Sequence, residues 1–148
     1  MKEIFDILSY RSSEITTKLY STSFSLGIKA LDRELHKPIY AIYGFVRLAD
    51  EIVDTFHDFD KQTLLSKFKD DTHEAIKNRI SLNPILNSFQ DVVNSFNIDI
   101  DLVDTFLHSM EMDLNPTSYD TSKYEEYILG SAQVVGLMCL KVFLNGNE

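Results

Sequence analysis

The chain has 148 residues, of which 44% are hydrophobic, and a formal net charge of −9 at pH 7. That length and apolar content suit one domain with its own core, and the acidic balance lacks the clustered Lys and Arg that bind nucleic-acid phosphates. The chain has only five Gly and three Pro, which favours helices over a sheet of many strands.

Apolar residues spaced three, four and seven apart predict a first helix over residues 2–21. They are Ile4, Ile7, Leu8, Ile15 and Leu19. Pro38 suits the first turn of a second helix that runs to about Thr55. Asp60 can cap a third helix that ends near Ile80.

Three more helices are predicted in the second half of the chain. An asparagine–proline start predicts a helix over 83–96, and an aspartate cap predicts one over 99–114, before Pro116 prevents continuation. A capping-box pattern (Ser-Lys-Tyr-Glu) opens a long helix over 122–144, and Asn145–Gly146 predicts its C-terminal cap. The sequence therefore predicts one all-α domain of about six helices.

Cysteine usage and hydropathy bear on the compartment. The lone cysteine, Cys139, lies in an apolar stretch, which predicts a small buried side chain and no disulfide framework. Acidic residues interrupt the N-terminal segment, so it does not have the apolar core of a secretory signal peptide. The longest apolar run, 134–140, is well short of the ~20 residues that span a bilayer. We therefore expect a cytoplasmic protein whose contact with a membrane is confined to its surface.

Four side chains share one face of the predicted second helix. At about 100° per residue, Tyr43, Arg47, Asp50 and Asp54 fall within a strip roughly 60° wide. Two carboxylates one turn apart can share a hard divalent cation, and a neighbouring Arg can bind an anionic oxygen. The alternative is a solvated face on which Arg47 pairs with Asp50. Glu51 lies about 80° from Tyr43 around the helix, so we expect it to hold the residues of the strip in place rather than to bind a metal directly.

A hydroxyl-rich segment, residues 20–27, separates the first two predicted helices. One interpretation is a helix break whose hydroxyl groups satisfy freed backbone groups. The other is a kink that directs Ser21 and Ser23 at phosphate oxygens, with Phe24 lining an apolar channel.

Two later segments also carry alternatives. Asp113 lies at a helix C-terminus, where the macrodipole disfavours an acid, and this hints at another role, whereas His108 is expected to be structural or exposed. Ala132 and Gly136 are small and one turn apart. Either a neighbouring helix packs closely there, or the space admits a long apolar ligand.

Taken in chain order, these segments resemble the squalene/phytoene synthase family. Residues 20–24 resemble its S-x-S-F segment, and residues 43–54 resemble its tyrosine, arginine and first aspartate-rich D-x-x-x-D motif. Residues 110–114 resemble its G-M-x-x-D-L block, although Ser109 stands where glycine is usual.

The last matching block is the least regular. Tyr127 with residues 132–138 resembles the family's Y-x-x-x-V-A-G-x-V-G-x-M block. Gln133 replaces the first glycine of that block, and Leu129 and Gly130 offset its usual valine. The four segments occur in the family's order over nearly the whole chain, which makes the resemblance specific.

The resemblance implies an isoprenoid-synthase-type helical bundle that joins two prenyl diphosphates, farnesyl or geranylgeranyl, head to head. It implies that Asp50 and Asp54 bind Mg²⁺, that Arg47 holds diphosphate and that Tyr43 faces the reacting carbons. NADPH is implied as well if the product is squalene. The implied substrate-binding residues are Ser21, Ser23, Phe24, Arg47, Asp113, Tyr127, Ala132 and Val135.

The sequence departs from the family in one respect. Members of the family are much longer and carry a second motif, N-x-x-R-D-x-x-x-D, which these 148 residues lack. We therefore expect residues 1–148 to be the N-terminal part of a single domain, inactive alone and able to form homo-oligomers through exposed apolar faces. A rival interpretation is a non-catalytic helical module for binding or assembly. The intact pair of Asp50 and Asp54 argues against it.

Overall fold

The computed structural model describes residues 1–114 and 121–146, and their regular structure is entirely helical. The helices are α1 (Lys2–Tyr20), α2 (Thr22–Lys29), α3 (Arg33–Asp54), α4 (Lys61–Asn78), α5 (Pro84–Ser95), α6 (Ile100–Leu114), α7 (Thr121–Ile128) and α8 (Val134–Phe143). A π-helical turn, Leu129–Gln133, joins the last two. The prediction of an all-α fold is confirmed.

Helix α3 lies at the centre of the bundle and contacts α1, α2, α4, α5, α6 and α8. Its Phe45 is completely buried. The Phe45 ring lies 3.8 Å from that of Phe89 on α5, 5.4 Å from that of Phe68 on α4 and 5.5 Å from that of Phe106 on α6, measured between centroids. These aromatic contacts hold four helices around one point.

Helix α1 packs on the bundle through small hydroxyl side chains. Its fully buried residues are Ser9, Ser13 and Thr17. The Ser13 and Ser88 Oγ atoms lie 2.7 Å apart, and Asn87 Nδ2 donates to Ser9 Oγ at 3.0 Å. A Cβ on Gly44 of α3 would lie 2.8 Å from Ser13 Oγ. The two helices are thus too close for a larger side chain at this crossing.

The apolar pattern that predicts α1 faces outward. We call Ile4, Ile7, Leu8, Ile15 and Leu19 the α1 stripe, and their exposed fractions run from 47% to 78%. An amphipathic helix ordinarily turns such a stripe toward the core. Here the close crossing at Gly44 admits only small residues, so the polar side of α1 is buried instead.

Several predicted helix ends are confirmed by their caps. The Asp60 carboxylate accepts from Thr63 N at 3.1 Å, and Asn83 Oδ1 accepts from Ile85 N at 3.0 Å. Asn145 and Gly146 have φ values of 55° and 80°, the left-handed conformation of a helix C-terminus.

The helix break interpreted from the hydroxyl-rich segment is confirmed at Ser21, whose backbone is extended and whose side chain accepts from Phe24 N, and a separate helix, α2, follows it. Two details of the prediction are wrong. Helix α3 begins at Arg33, so Pro38 lies inside it and removes one backbone hydrogen bond. Helix α7 begins at Thr121, which places Ser122 inside the helix and excludes it as the N-cap. Pro116 lies outside the described residues.

The segment Thr121–Phe143 is long and apolar enough to cross a membrane, judged by length and composition alone. The longest uninterrupted apolar run did not indicate this, because Gln133 and Lys141 end that run within the segment. Core helices of water-soluble proteins pass the same test, and Val134, Met138 and Val142 pack into the core here. Leu137 and Leu140 on the opposite side are about half exposed.

Candidate active site

The polar strip on α3 lies at a partly buried surface. The Arg47 side chain is 22% exposed and that of Asp50 is 32% exposed. Arg47 Nη2 donates to Glu51 Oε1 at 2.7 Å, whereas Arg47 Nη1 lies 3.8 Å from Asp50 Oδ2. The main partner of Arg47 is therefore Glu51, and the expected pairing with Asp50 is only a long contact.

Glu51 fixes the position of Arg47. It accepts hydrogen bonds from the hydroxyl groups of Tyr20 and Thr55 as well as from the guanidinium. The bond from Tyr20 is the largest of the effects that lower the Glu51 pKa to about 2. The Arg47 guanidinium also lies over the Tyr20 ring, 4.6 Å from its centroid. Sequence reasoning missed Tyr20, although it stands at the start of the hydroxyl-rich segment.

One donor of Arg47 is left over. Its Nε is buried and has no hydrogen-bond partner among the described residues. A buried donor without an acceptor is costly and uncommon in a folded protein. The hydrogen-bonding capacity of Arg47 is therefore not fully used by the described residues.

Three carboxylates face one another across α3 and α6. Burial raises the pKa of Asp50 to about 6 despite the nearby Arg47, and the charges of Asp54 and Asp113 raise it further. Burial also raises the pKa of Asp113, and the charge of Asp54 adds to the effect. The position of Asp113, unfavourable for its own helix, thus brings a third acid to the strip.

The fit of this site to a divalent cation can be judged from its donor set. No group of three or more His, Cys, Asp or Glu side chains is gathered closely enough to hold a metal within the described ranges. Mg²⁺, however, binds through one or two carboxylates and keeps water or phosphate oxygens as its other ligands. Asp50 and Asp54 match that requirement, because a bound cation would offset the repulsion between their two negative charges.

Tyr127 reaches the same acids from α7. Burial raises its pKa, and the charges of Asp113, Asp50 and Asp54 raise it further. The π turn that follows Tyr127 packs on α6, where a Cβ on Gly130 would lie 2.7 Å from Ser109 Cβ.

The predicted close approach at Ala132 and Gly136 is not observed. A Cβ on Gly136 would meet no atom of the described residues within 4 Å. Ala132 is exposed, and Val135 is half-buried against the core. The small residue that admits a neighbouring helix is instead Gly130. The open side of α8 is consistent with the other interpretation, room for an apolar ligand.

An apolar groove of about 580 Å³ adjoins the strip on the side of α2. It is lined by Ser21, Ser23, Phe24, Gly27, Ile28, Leu31, Ile39, Cys139 and Phe143. The Phe24 ring stacks on that of Tyr43 with centroids 4.7 Å apart, so the groove contacts the strip through this pair. Ser21 Oγ also caps α2 by accepting from Phe24 N at 3.1 Å.

Two remaining predictions concern single side chains. Cys139 is half-buried in the groove wall, and burial raises the pKa of its thiol to about 11. His108 is exposed, with its Nε2 3.1 Å from Glu126 Oε1 on α7. Both positions agree with the structural roles predicted for these residues.

Comparison with known proteins identifies the family. Residues 17–148 match the model of the squalene/phytoene synthase family. The chain is 23% identical over 136 residues to 4,4'-diapophytoene synthase of Staphylococcus haemolyticus, covering 90% of this chain and 48% of the relative. It is 28% identical over 144 residues to chloroplastic phytoene synthase 1 of Zea mays, covering 96% and 34% of the two chains.

Solved structures agree on the fold. A dehydrosqualene synthase crystallised with a ligand superposes with a TM-score of 0.83 at 24% identity, covering 93% of this chain and 48% of that one. Squalene synthase HpnC from Alicyclobacillus acidocaldarius gives 0.84 at 20% identity, covering 95% and 53%. These matches confirm the isoprenoid-synthase-type bundle, and the chain spans about half the length of these proteins or less. With the family match extending over most of its residues, the chain belongs to the squalene/phytoene synthase family.

Proposed function

We propose that this chain carries the N-terminal part of the active site of a head-to-head prenyl transferase. Its substrates are two prenyl diphosphates, farnesyl or geranylgeranyl, and the reaction includes Mg²⁺-assisted loss of diphosphate. The observation that carries the proposal is the contact of two surfaces at Tyr43. Tyr43 shares its helix face with Arg47 and the acids, and its ring stacks on Phe24, which lines the apolar groove.

The polar side suits a diphosphate with its metal. Asp50 and Asp54 would hold Mg²⁺, which supplies positive charge that stabilises a leaving diphosphate. Arg47, held by Glu51 and partly exposed, would bind a diphosphate oxygen through its guanidinium. Asp113 and Tyr127 border the same space and orient what binds there.

The apolar side suits a prenyl tail. Its wall is formed by Phe24, Ile28, Ile39 and other side chains without charge, which would give a prenyl chain an apolar surface to lie on. Tyr43 stands between the two surfaces, where the diphosphate-bearing carbon of a substrate would lie. Ser21 and Ser23 line this groove, and Ala132 in the π turn and Val135 in α8 would contact a prenyl tail as well.

The proposal includes that these 148 residues do not turn over substrate alone. The described residues supply one acidic wall, and the sequence has no second aspartate-rich motif to face it. Mg²⁺ would then bind weakly until further ligands are supplied. Use of NADPH if the product is squalene, a cytoplasmic location and self-association through exposed apolar faces remain parts of the same proposal.

A second candidate is a non-catalytic helical module for binding or assembly. It is favoured by the lack of three gathered metal ligands within residues 1–114 and 121–146. Such a module would not need Asp50 and Asp54, so it predicts that their replacement leaves ligand binding unchanged.

Calorimetric titration with a non-hydrolysable farnesyl diphosphate analogue, with and without Mg²⁺, distinguishes the two candidates. We expect Mg²⁺-dependent binding that the double variant Asp50→Asn/Asp54→Asn abolishes. The matched control is Asp70→Asn/Glu74→Gln, which removes two exposed acids one turn apart on α4 and should bind like the unaltered chain. Binding that ignores both Mg²⁺ and the α3 acids would favour the binding module, and absence of binding would count against a formed half-site.

A further inference from the structure

Tyr20 contacts both members of the ion pair that Arg47 forms with Glu51, although the proposed function gives it no role. Its hydroxyl group donates to Glu51 Oε2, and its ring centroid lies 4.6 Å from Arg47 Cζ. Tyr20 is 49% exposed, so burial of apolar area does not hold it in place. The contacts with Glu51 and Arg47 therefore determine where this side chain lies.

Tyr20 belongs to a firmly anchored end of α1. Thr17 in the same turn is completely buried. Ser21 N donates to Thr17 O at 2.9 Å, and Thr17 Oγ1 donates to Ser13 O at 2.9 Å. Ser21 then leaves the helix with an extended backbone, at a φ of −149°. A side chain on such an anchored element can hold a neighbouring functional group in a fixed position.

The carboxylate of Glu51 is held through both of its oxygens. Oε1 accepts from Arg47 Nη2 and from Thr55 Oγ1, each at 2.7 Å, whereas Oε2 accepts from Tyr20. The bond from Tyr20, followed by those from Thr55 and Arg47, lowers the pKa of Glu51 to about 2, so the group is charged at neutral pH. Without the Tyr20 hydroxyl, Oε2 would lose this donor and the carboxylate could rotate about its terminal bond.

The guanidinium of Arg47 is oriented by these contacts. One of its faces lies over the Tyr20 ring, and its Nη2 is bound to Glu51. Nη1 makes no hydrogen bond within residues 1–114 and 121–146 and lies 3.8 Å from Asp50 Oδ2. A guanidinium binds an anionic oxygen through N–H groups of fixed direction. The orientation of its plane therefore decides how well Nη1 can bind one.

We propose that Tyr20 is a positioning residue for Arg47 and acts through Glu51. Its hydroxyl group keeps the Glu51 carboxylate in one orientation, and that carboxylate keeps Nη1 of Arg47 available to an anionic oxygen beside the acids of α3. Tyr20 does this without touching the ligand. That the oxygen belongs to a diphosphate rests on the proposed function, whereas the restraint on Arg47 does not.

The restraint is measured first without ligand, by nitrogen-15 NMR of the arginine side chains. The chain has four arginines, and Arg47→Lys assigns the signal of Arg47. Tyr20→Phe keeps the ring beside the guanidinium and removes the hydroxyl group, so rotation about the Arg47 Nε–Cζ bond should become several-fold faster. Unchanged or slower rotation would overturn the proposal.

Tyr10→Phe is the matched control for this measurement. Tyr10 also lies on α1, and its hydroxyl group donates to a carboxylate, Asp91 Oδ2 on α5, at 2.5 Å. The control removes the same kind of hydrogen bond elsewhere on the helix and should leave rotation of Arg47 unchanged. An equal acceleration in both variants would assign the effect to general loosening of α1 and would also overturn the proposal.

Binding of inorganic pyrophosphate with Mg²⁺ tests the consequence for the site. Calorimetry should give an affinity about tenfold lower for Tyr20→Phe, the effect of one lost hydrogen bond to a charged group, and an unchanged affinity for Tyr10→Phe. Arg47→Lys keeps the charge and loses the planar fork. In that background Tyr20→Phe should have little further effect, because changes that act through one group are not additive. An equal loss in both backgrounds would contradict an action through Arg47.

The positioning role and the proposed function fail in different ways. If the unaltered chain binds no pyrophosphate but rotation of Arg47 responds to Tyr20→Phe, the restraint stands and the proposed function loses its support. If pyrophosphate binds and neither measurement responds to Tyr20→Phe, the positioning role is refuted and the proposed function stands. Circular dichroism checks that each variant is folded.

Discussion

Helices α3 and α1 are fixed to the same bundle by opposite means. Around Phe45, α3 contacts its neighbours through stacked aromatic rings, with full burial of large apolar side chains. Along Ser9, Ser13 and Thr17, α1 contacts α3 and α5 through short side chains and hydrogen bonds. The first interface gains stability from the apolar area removed from water. The second depends on each buried polar group having a partner.

The difference teaches that hydrophobic content does not reveal which face of a helix is buried. Each native hydrogen bond contributes modestly, but a broken one leaves a costly unpaired group. An interface such as that of α1 therefore specifies position more than it adds stability. Four changes test this contrast.

The largest effect is expected from Phe45→Ala. Removing a completely buried ring that contacts three others should lower the free energy of unfolding by about 3–5 kcal/mol. Urea denaturation followed by circular dichroism measures it. Leu82→Ala, at a 91% exposed position, is the control and should change stability by less than about 0.5 kcal/mol. A small loss for Phe45→Ala would mean that the bundle is not centred on this ring.

Asn87→Ala should break the polar interface. Asn87 Nδ2 donates to both Asp6 Oδ1 and Ser9 Oγ at 3.0 Å, so its loss should cost about 1–3 kcal/mol. Hydrogen exchange should show faster exchange of the α1 amides with little change in α3. Asn94→Ala removes a different polar side chain of α5, whose Nδ2 donates to Ile76 O. Asn94→Ala should leave the exchange rates of the α1 amides unchanged. An equal increase of these rates in both variants would contradict the assignment of Asn87 to the α1 interface.

Gly44→Ala should separate α1 from α3. Its Cβ would lie 2.8 Å from Ser13 Oγ, and we expect a loss of about 1–3 kcal/mol from this overpacking. Gly136→Ala is the matched control, since its Cβ meets nothing within 4 Å among the described residues. The control should gain up to about 1 kcal/mol from helix propensity. Thermal unfolding of the two variants should therefore shift in opposite directions, and shifts of the same sign would refute the close crossing.

Asp50→Asn tests a third situation, in which a half-buried carboxylate has neither an apolar contact area nor a close ion-pair partner. The Asp50 pKa rises from its ordinary 3.8 to about 6, so its ionised form destabilises the folded state above about pH 6 and this penalty disappears as the pH falls toward 4. The difference between these two pKa values corresponds to about 3 kcal/mol. Because Asp50 is one-third exposed, solvent screening reduces this penalty to about 1–2 kcal/mol. Asp50→Asn should therefore stabilise the metal-free protein by that amount at pH 7.

Denaturation from pH 4 to pH 8 without divalent cations measures this effect. The curves of the unaltered chain and Asp50→Asn should converge at the acidic end. The exposed control Asp70→Asn should follow the unaltered chain throughout. Parallel curves for Asp50→Asn and the unaltered chain would mean that Asp50 is not desolvated.

The fold class could be predicted from the sequence, because caps and helical periodicity depend only on residues that are close together in the chain. Asp60 and Asn83 show this, since each side chain accepts hydrogen bonds only from residues two or three positions later. The face of α1 that is buried could not be predicted from the sequence, since it depends on Gly44 of α3 and on Ser88 of α5. No property of residues 2–20 alone encodes that close crossing.

The candidate site likewise has features that the sequence predicts and features that depend on tertiary packing. Asp50, Asp54, Arg47 and Tyr43 share a face because all four lie on one helix, and helical geometry predicts that. The preference of Arg47 for Glu51 was not predicted, since Tyr20 from another helix fixes Glu51 in place. Residues joined only by tertiary packing were thus the ones that sequence reasoning missed or left uncertain.

The π turn at Leu129–Gln133 carries a consequence for how this helix can change over evolution. Its bond from Val134 N to Leu129 O spans one residue more than an α-helical bond. In an unbroken α-helix, Tyr127 and Val134, seven positions apart, would point within about 20° of each other. The extra residue turns them roughly 120° apart, so that Tyr127 meets the acids while Val134 enters the core. The turn therefore acts as a one-residue insertion absorbed without a loop, and deleting a residue there would force either Tyr127 or Val134 away from its partners.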